Sequence, residues 1–205
     1  MYYKMIFDRD CIDYKNKTHV HTIYCEASNT DDIEYPNIKK GWFCYIIYSG
    51  NKIKDWPDIQ FLYDSNKSSE FLLNVDTWPI VHKKVVECFN MLGVENIQYL
   101  PVKVTDKVTG EECYDYYVLN ILNMIDAYDL RKSKYTYDKE IDSYQFLPPD
   151  IVLNYKKCKN YDIFRCEKDN IPIYVSQRIK EAIEKENFIG FKFIKQRVHK
   201  GFFKI

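Results

Sequence analysis

His19 and His21 stand two residues apart, a spacing that puts both imidazoles on one side of a β-strand. Such a pair can chelate a metal, with Cys25 four residues further on as a third donor. A zinc site needs more ligands than that, and the sequence offers no companion cluster, so no metal is expected. Asp8, Asp10 and Asp13 crowd the string "DRDCID", which lacks the glycine and closing glutamate of a calcium loop and reads as a solvated turn. Asp126 and Asp129 in "MIDAYDL" have the spacing of neighbours on a helical turn. Paired carboxylates can share acid–base work, but that also needs a pocket and a partner group. Helix capping or plain surface charge is the competing explanation. Asn120 interrupts the apolar run "YVLNIL", and a buried amide must find hydrogen-bond partners. Bridging a bulge or a nearby loop is its simplest role, and a ligand contact is the alternative.

The familiar catalytic signatures are missing. Neither glycine-rich phosphate loop occurs, nor the GxSxG elbow, nor HExxH, and the chain has only six glycines. Seven cysteines (Cys11, Cys25, Cys44, Cys88, Cys113, Cys158 and Cys166) are scattered without a CxxC pair. That odd count fits reduced thiols in a reducing compartment better than a disulfide framework. No catalytic residue and no cofactor can be named. An enzyme using an unrecognised Cys/His or carboxylate site stays open.

The elements that must position these groups follow from composition and pattern. At 205 residues, 46% of them hydrophobic and 29% charged, the chain can bury a real core and fits one domain or two small ones. We expect a single domain over 1–205. No apolar run reaches membrane length, and "MYYKMIFDRD" is not a signal peptide, so a cytoplasmic protein with no membrane partner is expected. Thirty basic and thirty acidic residues cancel, which removes the net basic field of a general nucleic-acid binder. Nineteen tyrosines beside many lysines still leave a single-stranded nucleic-acid module as a further alternative.

The strongest pattern is a duplication. "PIVHKKVVECFNMLGVENIQYLPV" and "PIYVSQRIKEAIEKENFIGFKFI" read as one unit; Val81 aligns with Val175 at an offset of 94 positions, and from there the match runs without gaps. Val85 then meets Ile179, Cys88 meets Ala182, Phe89 meets Ile183 and Tyr99 meets Phe193. Each copy reads as a proline-led amphipathic helix, a short connection and a strand, with differing turns "LGVEN" and "ENFIG". Asp76 or Thr77 is the expected cap of the first helix, and Gly93 its C-terminal stop. The duplicated units cover about 70–104 and 162–198. The part before them, about 1–64, reads as strand-rich, with "YYKMIF", "HVHTIYC" and "WFCYIIY" as strands. The fold class expected is α+β, a mostly antiparallel sheet carrying two amphipathic helices.

The stretches "IQYLPVKV", "YDYYVLNILNMIDAYDLRKSKY" and "DIFRCEKDNIPIYVSQRIKEAIEKENFIGFKF" resemble a family of bacterial immunity proteins from polymorphic toxin systems. "YYKMIFDRD" and "GNKIKDWPDIQFLY" fit the looser part of that pattern, so the resemblance spans most of the chain. It implies a cytoplasmic protein that binds and neutralises a cognate toxin domain, and it brings no catalytic residues. Its shared positions match Asn120, Asp126, Asp129 and Tyr135. The stretch from Thr105 to Asn160 has no counterpart in the duplication and is rich in tyrosine and aspartate. The partner is therefore sought there, on Asp126, Asp129, Tyr135, Tyr137 and Asp138. Immunity to a basic toxin would favour an acidic face. Asp31, Asp32 and Glu34, with Asp138, Glu140 and Asp142, are the candidates for one.

Overall fold

The computed structural model describes residues 1–8, 10–13, 18–21, 24–63 and 69–201; the side chains of 10–13, 18–21 and 24 lie outside that description. In chain order come strands β1 (Tyr2–Phe7), β2 (Asp10–Asp13), β3 (Thr18–His21) and β4 (Tyr24–Ser28). Two 3-10 helices follow, Thr30–Asp32 and Phe43–Tyr48. Next are β5 (Gln60–Tyr63), β6 (Phe71–Asn74), β7 (Ile80–His82), helix α1 (Lys83–Met91), β8 (Ile97–Asp106) and β9 (Glu112–Ile121). The chain continues through β10 (Met124–Ile125), β11 (Tyr135–Asp138), β12 (Ser143–Phe146), β13 (Val152–Asn154) and the short α2 (Tyr155–Cys158). It ends with β14 (Ile163–Cys166), β15 (Asp169–Ser176), α3 (Gln177–Lys185), β16 (Phe191–Lys195) and β17 (Arg197–His199). Two compact units result: 7–122 with 182–192, and 1–6 with 123–181 and 193–205.

The first unit is built on a closed six-stranded barrel in the order β4-β5-β8-β9-β7-β6. Alternate residues of β8 and β9 point inward, so Leu100, Val102, Val104, Tyr116 and Val118 meet Phe61, Leu72, Ile80 and Trp78 in the lumen. The β4–β6 and β5–β8 pairings are parallel, and the expectation of a mostly antiparallel sheet is corrected to mixed sheets within an α+β fold. Hydrophobic alternation marks each strand but says nothing of a neighbour's direction, which the long crossover connections set.

"WFCYIIY" is also corrected. It forms the 3-10 helix Phe43–Tyr48, lying between Gly41 and Gly50, both at positive φ. Strand propensity measures the fit to a pleated surface, and here a tight helix buries Phe43 and Ile47 in the barrel core instead. The indole N–H of Trp78 donates to the Cys44 carbonyl at 2.7 Å. The Tyr48 hydroxyl sits 2.9 Å from Thr77 Oγ1.

The second unit centres on a five-stranded sheet, β10-β14-β15-β1-β16. A hairpin of β11 and β12 and a parallel pair of β13 and β17 complete it. Its core gathers Tyr2, Tyr128, Phe146, Leu153, Phe164 and Tyr174.

The two copies of the helix–strand unit correspond element by element in the structure. Helices Lys83–Met91 and Gln177–Lys185 correspond end to end at the offset of 94, and β8 and β16 begin at equivalent residues. The helices are shorter than expected, because Pro79 leads β7 and Pro172 lies inside β15. The cap of α1 is His82, whose ring accepts from the Lys84 N–H at 3.3 Å, not Asp76 or Thr77. Ser176 takes the equivalent place, its hydroxyl accepting from the Ile179 N–H at 3.4 Å.

Both helices end in the same double-bonded cap. Gly93 N–H donates to Asn90 and Val94 N–H to Phe89; Asn187 N–H donates to Glu184 and Phe188 N–H to Ile183. The turns expected to differ share one conformation with glycine and asparagine exchanged. Gly93 and Asn187 have φ of 65° and 54°, and Asn96 and Gly190 have 61° and 103°. The strand order β6-β7-β9-β8 also returns as β14-β15-β1-β16. β1 therefore stands for β9, "YYKMIF" for "YYVLNI": Tyr2 and Tyr3 face Ser176 and Val175 as Tyr116 and Tyr117 face His82 and Val81.

Candidate functional site

Three of the five residues expected to meet a partner lie on the β11–β12 hairpin. Aromatic residues alternate along both arms, and Tyr135 pairs with Phe146 while Tyr137 pairs with Tyr144. One face of the hairpin is thus a continuous ring surface. Tyr144 is its centre, 4.7 Å from Tyr137 and 5.4 Å from Tyr135 between ring centroids, and Phe146 carries the stack to Tyr128 at 4.2 Å. Tyr135 is half-buried as the root of this column, whereas Tyr137 remains exposed.

The hairpin tip is acidic and self-organised. The Tyr137 hydroxyl donates to Asp142 Oδ1 at 2.7 Å, which pushes the phenol's pKa up. Asp138 accepts the Glu140 N–H at 2.9 Å and so shapes the turn, in which Asp142 adopts a positive φ.

Asp126 follows β10 and joins this surface through a cation. Its two carboxylate oxygens each accept from a lysine, Lys157 and Lys168, at 2.6 Å. Partial burial pushes the carboxyl up, but those two hydrogen bonds outweigh it and hold Asp126 below the ordinary carboxylate range. Lys168 also lies 5.7 Å above the Tyr144 ring. Asp126, Lys168, Tyr144 and Tyr137 thus form one connected patch.

Asp129 is not part of it. Its side chain is only 10% exposed and lies 2.6 Å from His199 Nδ1 on β17. It also accepts the Arg131 N–H at 3.2 Å. Asp126 and Asp129 lie in irregular chain beside the bridge residue Tyr128, not on a helix, and share no partner among the described residues. Asn120 is wholly buried in the barrel unit, donating to the Asn51 carbonyl at 2.8 Å and to Gln98 at 3.0 Å, so it bridges a loop.

Five of the described thiols are held in their neutral form. Burial pushes the Cys25 thiol up to about 12 and Cys158 up to about 11, and it raises Cys44, Cys88 and Cys166 as well. Among the described residues no group of three or more His, Cys, Asp or Glu can hold a metal ion. The His19 and His21 side chains lie outside the described residues; of the pattern they belong to, Cys25 is fully buried in the barrel.

A sequence profile of the Immunity protein family (Imm11) matches residues 7–198. The chain belongs to this family. The match covers the barrel, the hairpin and the second sheet apart from β1, in agreement with the resemblance carried by the separate stretches. No curated protein matches the chain. No helix among the described residues is long and apolar enough to cross a membrane.

The sequence reading missed Tyr144, Lys157 and Lys168. Tyr144 was detectable, because "YTY" and "YQF" flank the polar "DKEIDS" with the period of a hairpin. The lysines lie 31 and 42 residues from Asp126, beyond any local pattern.

Proposed function

We propose that this Imm11 protein binds a cognate bacterial toxin domain in the cytoplasm and neutralises it by protein–protein contact, with the β11–β12 hairpin as a contact surface. The family match over residues 7–198 is the observation that carries this reading. The hairpin supports it chemically. Tyrosine gives contact area at low entropic cost, and the exposed Tyr137 is of the residue type that anchors interfaces, with Asp138 and Asp142 as charges beside it. Asp126 contributes a positioned charge, and Tyr135 holds the ring column from beneath. Asp129 serves the scaffold.

Co-expression of the chain with the toxin domain encoded next to its gene tests the proposal. Rescue of growth together with co-purification is expected. A toxic culture with no recovered complex contradicts it.

The Asp129–His199 contact favours a second reading, an acid–base enzyme that reverses a toxin's modification. The His199→Gln variant separates the two. It abolishes protection if this reading holds, and it leaves protection and toxin binding unchanged under the first.

A further inference from the structure

The barrel unit carries a cleft of about 470 Å³ that the hairpin contact does not use. One wall is the 3-10 helix Phe43–Tyr48 and the residue before it. Three residues per turn stack positions i and i+3 in one column. Trp42 and Tyr45 form such a column, their ring centroids 5.5 Å apart. Phe43 and Ile47 are buried in the barrel core, and Trp42 and Tyr45 are 56% and 60% exposed. Ile38, Ile46 and Ile53 add apolar lining.

The cleft is preformed. Trp78 fixes the 3-10 helix through the Cys44 carbonyl, and the Tyr35 hydroxyl donates to the Lys54 carbonyl. The opposite wall is pinned by Gln98, which accepts the Ile53 N–H at 2.9 Å and donates to the Ile53 carbonyl at 2.7 Å.

Its charge is one-sided. Lys39 and Lys52 line it, and no described acidic side chain does. Lys39 Nζ lies 5.8 Å over the Trp42 ring. Neither lysine is in an ion pair with a described residue, whereas Lys83, Lys103, Lys107, Lys134, Lys157 and Lys168 all are. Asp31, Asp32 and Glu34 precede the cleft in the chain without lining it. Paired exposed rings beside apolar lining, with uncompensated cations, complement an acidic peptide that carries an apolar side chain.

We infer that this cleft is a second contact surface, taking an acidic, aromatic- or aliphatic-bearing segment of the toxin domain. The inference rests on the toxin-binding reading above. Single-stranded nucleic acid can use similar rings and cations, but a net charge of zero provides no field to hold a phosphate chain.

The test uses the full chain, the intact toxin domain encoded next to its gene, and short overlapping peptides of that domain on an array. Captured peptides are expected to be acidic with an apolar residue. Trp42→Ala should weaken binding of the intact domain roughly 30-fold. Lys39→Glu with Lys52→Glu should slow association and remove its salt dependence. All three side chains are on the surface, so unchanged urea midpoints certify the folds. If the toxin domain binds wild type and variants equally, the cleft is no contact and the binding reading survives. If wild type does not bind the domain at all, both fall. If an oligothymidylate displaces the captured peptides, the occupant is nucleic acid and the inference is overturned.

Discussion

Two glycines in equivalent turns do different work. Gly93 ends α1 at φ +65° with open space where a Cβ would stand, so Gly93→Ala meets only the left-handed backbone penalty, about 1 kcal/mol. Gly93→Asn should be milder still, since Asn187 holds the same position in the other copy. At Gly190 an added Cβ would lie 2.4 Å from the Phe71 carbonyl oxygen, with φ at +103°. Backbone must move to admit it, and Gly190→Ala should cost roughly 3 kcal/mol or more. Urea midpoints of the three variants order them: Gly93→Asn least, Gly190→Ala most. The site reads differently. Tyr137→Ala removes an exposed ring and should change stability by less than about 0.5 kcal/mol while weakening toxin affinity. Tyr135→Ala opens the ring column and should lower both. Parallel denaturation and binding curves check the pair.

At the scale of elements, the helix–strand duplication was legible because it repeats at a fixed offset within one linear alignment. The equivalence of β1 and β9 was not. The strand that completes the second sheet comes from the chain's beginning, so the alignment at an offset of 94 does not bring "YYKMIF" beside "YYVLNI". The 3-10 helix at Phe43–Tyr48 was hidden because "WFCYIIY" has strand composition and only its packing around Trp78 selects the tight helix. The hairpin was half-legible, its aromatic alternation visible and its lysine partners too distant in sequence. The role of β1 makes a prediction. Tyr2 is buried in the second unit's core, and its hydroxyl is within reach of the Cys158 and Tyr161 carbonyls. Tyr2→Phe should cost about 1 kcal/mol through the lost hydrogen bonding, and Tyr2→Ala about 3–5 kcal/mol through the cavity. Comparable losses from both variants in urea would show that β1 is not a core strand.

For the whole molecule, pH and stoichiometry are the informative variables. Asp162 is pushed up by burial, but its bonds from Arg178 and Ser176 prevail and hold it low, as the lysines do for Asp126. A carboxyl depressed in the fold contributes stability that is present above the unfolded value, about 3.9, and is lost as pH falls through the folded one. Asp76 and Asp169 are raised by burial and carry the opposite sign, so they oppose this acid limb. Stability should therefore fall below about pH 4, and Asp126→Asn with Asp162→Asn should flatten that limb, as read from urea midpoints across the acid range. The division between the two units falls inside β1, α3 and β16. We expect one cooperative calorimetric transition on that ground, as a single domain requires; two resolved transitions would refute it.

The most direct measurement is a titration of toxin activity against the purified chain. Neutralisation by binding predicts a linear loss of activity that ends at a fixed stoichiometric ratio, with the same complex recovered by size-exclusion chromatography. Complete protection by a small fraction of one equivalent, with no complex recovered, would contradict it and identify turnover instead.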